Sequence, residues 1–180
     1  MPFNLIKIYN QHLELNHLTT QERNVSLRII FDRDIAYNVN FNFRNKIIRP
    51  LKIDGVPSME TLFRHLTCMV EENQLDEFGK KIKPRNVFDY ERSKRLHWVK
   101  HHIEEKTPNK IEVFSYEDRI NGKNEIRTYI FDQTENYVIV LKPQRTQHDY
   151  YLITAFYLTK DKGGNKQITK KFKNKLPHVY

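Results

Sequence analysis

The sequence predicts an α+β fold: an N-terminal α+β segment, then a helix packed on a four-stranded antiparallel sheet. Three observations carry it. Met59, Leu62, Phe63, Leu66, Met69 and Val70 recur at helical spacing behind Ser58, a good N-cap residue. Four period-two runs follow one another after residue 110. Between the first two of these runs stands Asn121-Gly122, a dipeptide suited to a two-residue hairpin turn.

Taken in order, Ser26–Phe31 reads as a strand. Tyr37, Val39, Phe41 and Phe43 alternate with Asn38, Asn40, Asn42 and Arg44, which reads as a second strand paired to the first across Asp32–Asp34. Gly55-Val56-Pro57 breaks the chain, and the amphipathic helix then runs from Met59 to about Glu72. Charged residues around Gly79 and Pro84 read as a linker. A second helix is expected over about Asp89–Lys106, stopped by Thr107-Pro108. The strands Ile111–Tyr116, Glu125–Phe131, Tyr137–Lys142 and Tyr150–Thr159 have short connections, so they should form a meander. A short helix, Gln167–Leu176, closes the chain. The expected division is 1–75, a linker at 76–87, and 88–180.

The composition narrows the partners. Lys and Arg number 31 against 22 Asp and Glu, a formal charge of +9. Between Lys160 and Lys175 seven lysines face Asp161 alone. Such a balance suits a polyanion. The residues expected to carry it are Lys160, Lys162, Lys166, Lys170, Lys171 and Lys173. No apolar stretch is long enough to span a membrane, and residues 1–10 lack a signal-peptide pattern, so the expected compartment is the cytoplasm. The single cysteine, Cys68, excludes an intramolecular disulfide framework and a Cys-rich zinc site. No phosphate-binding glycine motif occurs. His97 and His101 have i, i+4 spacing, but Trp98 stands where a zincin has Glu, and no third ligand is evident. No cofactor is expected.

The second helix concentrates chemistry. Leu96, Val99 and Ile103 share one face, with Arg92 at its edge. Arg95 lies seven before His102, and His97 four before His101. Imidazoles move protons near neutrality, and guanidinium groups hold phosphate. The plainer reading is a solvated basic face. In the last strand Thr154 is the hydroxyl of an otherwise apolar face, and it needs a partner.

The run Phe88–Lys100, with Arg92-Ser93-Lys94-Arg95-Leu96-His97-Trp98-Val99 at its centre, resembles the R-x-x-R-[IL]-x-W-[IV] helix of phage-associated nucleases of the barnase–EndoU–colicin–RelE-like superfamily. Tyr137–Lys142 and Leu152-Ile153-Thr154-Ala155-Phe156-Tyr157 resemble that group's sheet strands, Phe156 standing for the usual aromatic. The resemblance covers about residues 88–175. It implies metal-independent RNA cleavage, in which an activated 2′-OH attacks the adjacent phosphate and leaves a 2′,3′-cyclic phosphate. It also implies a toxin-like role, with RNA as substrate and an acidic antitoxin or immunity protein as a further partner. The positions it points to are Arg92, Arg95, His97, His101, Lys142 and Thr154. Either histidine serves as acid or base, the arginines hold phosphate, and Lys142 and Thr154 contact it from the sheet. The other readings are a non-catalytic nucleic-acid-binding protein and a structural protein of a phage-like particle.

Overall fold

The computed structural model describes residues 2–53, 56–72, 74–75, 77–79, 81–144, 148–159 and 164–180. Its centre is a mainly antiparallel sheet. Strands β9 (Ile111–Ile120), β10 (Lys123–Asp132), β11 (Tyr137–Pro143) and β12 (Asp149–Tyr157) form the expected meander. Asn121 and Gly122 both have positive φ, 49° and 78°, as a two-residue hairpin turn requires.

The sheet has six strands, not four. Beside β12 lies β2 (Lys46–Pro50), paired to it in parallel from Asp149↔Ile47 to Leu152↔Pro50. β1 (Asn42–Phe43) pairs with β2 at the rim. Residues 1–75 and 88–180 therefore share one sheet. They also share one core, in which Leu15, Leu27, Phe43 and Leu66 pack with Trp98, Ile139 and Leu152.

Ser26–Phe31 is not a strand. It is the second half of helix α2 (Thr20–Phe31), which follows a one-turn helix α1 (Pro2–Leu5). Thr19 and Glu22 form a reciprocal capping box, and Leu27, Ile30 and Phe31 bury one helical face. A local start signal and burial at i, +3, +4 outweigh the β-branched composition. The chain continues through a π-helical turn, Asp32–Ala36, so no hairpin crosses Asp32–Asp34. Of the alternating run only Asn42–Phe43 is strand, and Tyr37 and Val39 stand exposed. The Asn38 side chain accepts from the Asn40 amide at 3.0 Å, and asparagine turn chemistry defeats the period-two pattern.

A small pair, β3 (Lys52–Ile53) and β4 (Val56–Pro57), precedes helix α3 (Met59–Thr67). Ser58 caps α3 as expected, its Oγ accepting from the Thr61 amide at 3.1 Å. The helix ends at Thr67 because Cys68 is already extended, in β5 (Cys68–Met69), which pairs with β8 (Val87–Phe88). At the expected linker, β6 (Gln74–Leu75), just before it, pairs with β7 (Lys81–Ile82), inside it.

The second helix is broken. α4 (Tyr90–Ser93) and α5 (Trp98–Ile103) are joined by a tight turn. There the Arg95, Leu96 and Trp98 amides donate to carbonyls three residues back, at 3.2, 3.1 and 2.9 Å. Two buried tethers sit either side of the break. Ser93 Oγ donates to Thr67 O at 2.9 Å, and Trp98 Nε1 to Gln11 O at 2.9 Å. The three-residue pitch rotates everything after Arg95 relative to a continuous helix.

Helix α6 (Gly164–Lys173) starts a few residues before its expected place and lies on the other side of the sheet. Its Ile168 and Phe172 pack on Phe114, Tyr129, Phe131, Val138 and Val140, a second core separate from that of α2, α3 and α5. Among the described residues no helix is long and apolar enough to cross a membrane.

Candidate active site

Helix α3, helix α4 and strand β12 converge on one small cluster. The pairing of β2 with β12 ends at Leu152↔Pro50, and proline has no amide hydrogen to continue it. The edge of β12 beyond that point needs donors. The C-terminal end of α3 needs them too, because its last carbonyls have no helical partner. The strand edge is met by His65, and the helix end by Arg92. Its Nη1 donates to the carbonyl oxygen of His65 and, at 2.9 Å, to Thr154 Oγ1. Thr154 Oγ1 in turn donates to the same carbonyl at 3.2 Å.

Asp89 orients the arginine. One carboxylate oxygen caps α4, accepting from the Arg92 amide at 3.0 Å, and the other lies 3.5 Å from Arg92 Nε. The Arg92 side chain is 11% exposed. Its Nη2 has no protein partner among the described residues. The guanidinium borders a cleft of about 300 Å³ lined by Asp89, Tyr90, Phe156 and Tyr157.

His65 stands at the same point. Its Nδ1 is 3.0 Å from the carbonyl oxygen of Ile153 on the open edge of β12. A carbonyl only accepts, so Nδ1 carries the proton and Nε2 keeps a lone pair. Burial pushes this imidazole below its ordinary range. The bond to Ile153 opposes that shift, and the charges of Arg85 and Arg92 add to it. Near neutral pH it is a neutral base. Burial also lowers Arg85 and Arg92 from the usual guanidinium range. Arg85 donates to Cys68 O at 3.3 Å.

Two of the residues singled out in the sequence, Arg92 and Thr154, thus meet across 62 positions. The others go elsewhere. Arg95 is buried, donates to Glu91 O and Glu91 Oε2 at 2.7 and 2.8 Å, and lies 4.1 Å from the centre of the Tyr157 ring. His97 is buried against the backbone of Ile8 and Gln11, and burial pushes it down to about 4. His101 stacks on Tyr9 at 4.2 Å and shares a hydrogen bond with Thr107 Oγ1 at 3.2 Å. Both histidines line a different cleft, of about 370 Å³, beside Lys7, Arg33, Lys100 and Lys106. Arg33 there is held by both oxygens of Asp34 at 2.8 and 2.7 Å, and Lys106 pairs with Glu104 at 2.7 Å.

Lys142 pairs with Glu125 at 2.9 Å and, by strand alternation, falls with Val138 and Val140 on the α6 side of the sheet. Lys166, Lys170 and Lys173 are exposed on α6. Lys171 turns inward and binds Asp118 and, at 2.8 Å, the Tyr129 hydroxyl. Lys160 and Lys162 lie outside the described residues.

His65 and Arg85 were missed by the sequence reading. His65 sits on a helix already assigned to the core, between Leu62 and Leu66, and carries no motif. The one available signal was the polar Thr154 in an apolar strand, which called for a partner. Among the described residues no group of three or more His, Cys, Asp or Glu is arranged to hold a metal ion. Compared with protein-family models, curated proteins and solved structures, the chain matches none.

Proposed function

We propose that the protein is a metal-independent endoribonuclease of the toxin-like kind, with its active site at His65, Arg92 and Thr154 and with Arg85 alongside. One observation carries the reading: an imidazole whose Nδ1 is tied to Ile153 O, leaving Nε2 unprotonated, stands at the same point as a largely buried guanidinium whose Nη2 has no protein partner among the described residues. In the reaction His65 Nε2 takes the proton of a ribose 2′-OH as that oxygen attacks phosphorus. The P–O5′ bond breaks, a 2′,3′-cyclic phosphate remains, and the departing 5′-oxygen takes a proton from water. Arg92 Nη2 and Arg85 stabilise the charge that develops on the phosphoryl oxygens. Thr154 positions Arg92 and does not touch the substrate. This assignment moves the base from His97 or His101 to His65. His97 is buried and His101 stacks on Tyr9, and neither helix histidine lines the cleft that Arg92 borders. The partners in this reading are RNA and an acidic inhibitor protein, in the cytoplasm.

The test is incubation of the purified protein with end-labelled single-stranded RNA in EDTA. Cleavage to a 2′,3′-cyclic phosphate is expected. His65→Ala should slow it by about 10² to 10⁴, the usual worth of a general base, with the far-ultraviolet spectrum unchanged. Because the His65 pKa is depressed, activity should fall with acid only below the ordinary histidine range. A wild-type rate in His65→Ala overturns the assignment. RNA binding without cleavage by the wild type favours a non-catalytic nucleic-acid-binding protein.

A further inference from the structure

A cleft of about 450 Å³ opens between α2, α3 and the residues leading into β8. Arg23, Arg28, Arg64 and Arg85 line it against a single carboxylate, Glu60. Arg28 and Arg64 share Glu60, and Arg64 also donates to Asn86 Oδ1 at 2.8 Å. Among the described residues Arg23 meets no carboxylate: it donates to Leu18 O at 3.3 Å, and its Nε is buried without a partner. The planes of two guanidinium groups are set by aromatic rings. Arg28 lies 3.9 Å from the centre of Phe63, and Arg23 lies 4.4 Å from the centre of Phe88. Like charges held this close repel one another, and one carboxylate does not balance four cations. Fixed guanidinium forks in a cleft are suited to phosphate oxygens.

We propose that this cleft seats the backbone of single-stranded RNA beside the candidate active site. The identity of the polyanion rests on the endoribonuclease reading; the anion site itself rests on the four arginines. Two observations connect the sites. Phe88 lines both this cleft and the one that Arg92 borders. Arg85 lines the arginine cleft, and its charge acts on both His65 and Arg92. A strand lying along Arg23, Arg28 and Arg64 would therefore run toward Arg85 and deliver its next phosphate to Arg92 and His65. Duplex RNA carries its phosphates on a rigid cylinder that a cleft of this size does not admit, so the occupant is a single strand.

The probe is a fluorescent 2′-O-methyl oligonucleotide, which has no attacking hydroxyl, titrated by anisotropy at several salt concentrations. The combined variant Arg23→Gln, Arg28→Gln, Arg64→Gln should bind about tenfold or more weakly at low salt. Its log–log salt slope should be flatter by roughly two units, since each neutralised phosphate of a single strand contributes about 0.7. Glu60→Gln keeps every arginine, removes the one carboxylate, and should bind several-fold tighter with a steeper slope. It decides the matter if the triple variant does not fold. Unchanged affinity in either folded variant overturns the proposal. The two readings fail separately: an uncut ordinary RNA that still needs these arginines to bind defeats the nuclease, and cleaved RNA indifferent to them defeats the cleft.

Discussion

Lowering the pH from 7 to 5 should destabilise the fold, and His97 should account for a measurable part of the loss. In the folded chain burial holds this imidazole near 4, whereas in the unfolded chain it returns to about 6.5. Between those values the unfolded state binds the extra proton, so stability rises with pH through the window and falls as acid is added. Integrated from pH 7 to pH 5, one such group costs about 2 kcal/mol. His102, which burial also pushes below its ordinary range against the opposing charge of Asp132, adds a loss of the same sign. Carboxylates with depressed values, such as Glu60 and Glu91, lose their contribution at lower pH and add little here. The assay is urea denaturation of the wild type and His97→Leu at both pH values. Leucine is similar in volume, so the change removes the titrating group with little loss of packing. The variant should equal or exceed the wild type at pH 7 and lose about 2 kcal/mol less on going to pH 5. An equal acid loss in the two proteins refutes the argument, because the titrating group would then be elsewhere.

Thr154→Val should keep the strand but free the Arg92 guanidinium, costing about 1 kcal/mol in a thermal melt and lowering the rate of RNA cleavage more than the affinity for uncleavable RNA. Lys171→Gln leaves Asp118 and the Tyr129 hydroxyl without their cation and should lower the melting temperature, whereas Lys170→Gln and Lys173→Gln, at exposed positions, should not. Leu27→Ala removes a fully buried side chain of α2 and should cost about 2–5 kcal/mol in urea denaturation. Because α2 shares its core with the sheet, helical and aromatic signals should still move in one transition.

What was legible in the sequence was local. The meander from Ile111 to Tyr157 shows itself because four strand-like runs follow one another through short connections and the Asn121-Gly122 dipeptide suits a two-residue hairpin turn, although β11 is buried on both faces. The N-cap at Ser58 is legible for the same reason. The errors lie where two local signals conflict. Ser26–Phe31 is rich in strand formers, yet Thr19 and Glu22 had already started a helix seven residues earlier. Tyr37–Arg44 alternates, yet its asparagines bond to their own backbone. The parallel pairing of β2 with β12 is long-range, spanning about a hundred positions, and no periodicity within either segment announces it.

The site shows the same division, with one further step. Arg92 and Thr154 were noticed separately, one as a cation on a helix edge and the other as a hydroxyl in an apolar strand. Their meeting follows from two requirements of the fold. A sheet whose β2 edge stops at Pro50 leaves β12 uncovered beyond Leu152, and a helix that stops at Thr67 leaves carbonyls without donors. A single guanidinium set between them satisfies the His65 carbonyl and the Thr154 hydroxyl together, and it is therefore fixed there for structural reasons. The same edge takes the Nδ1 hydrogen of His65 and so leaves Nε2 basic. His97 and His101, the positions the resemblance pointed to, line a different cleft from the one Arg92 borders. A cation and a base are thus brought together by the need to finish a helix and a sheet edge.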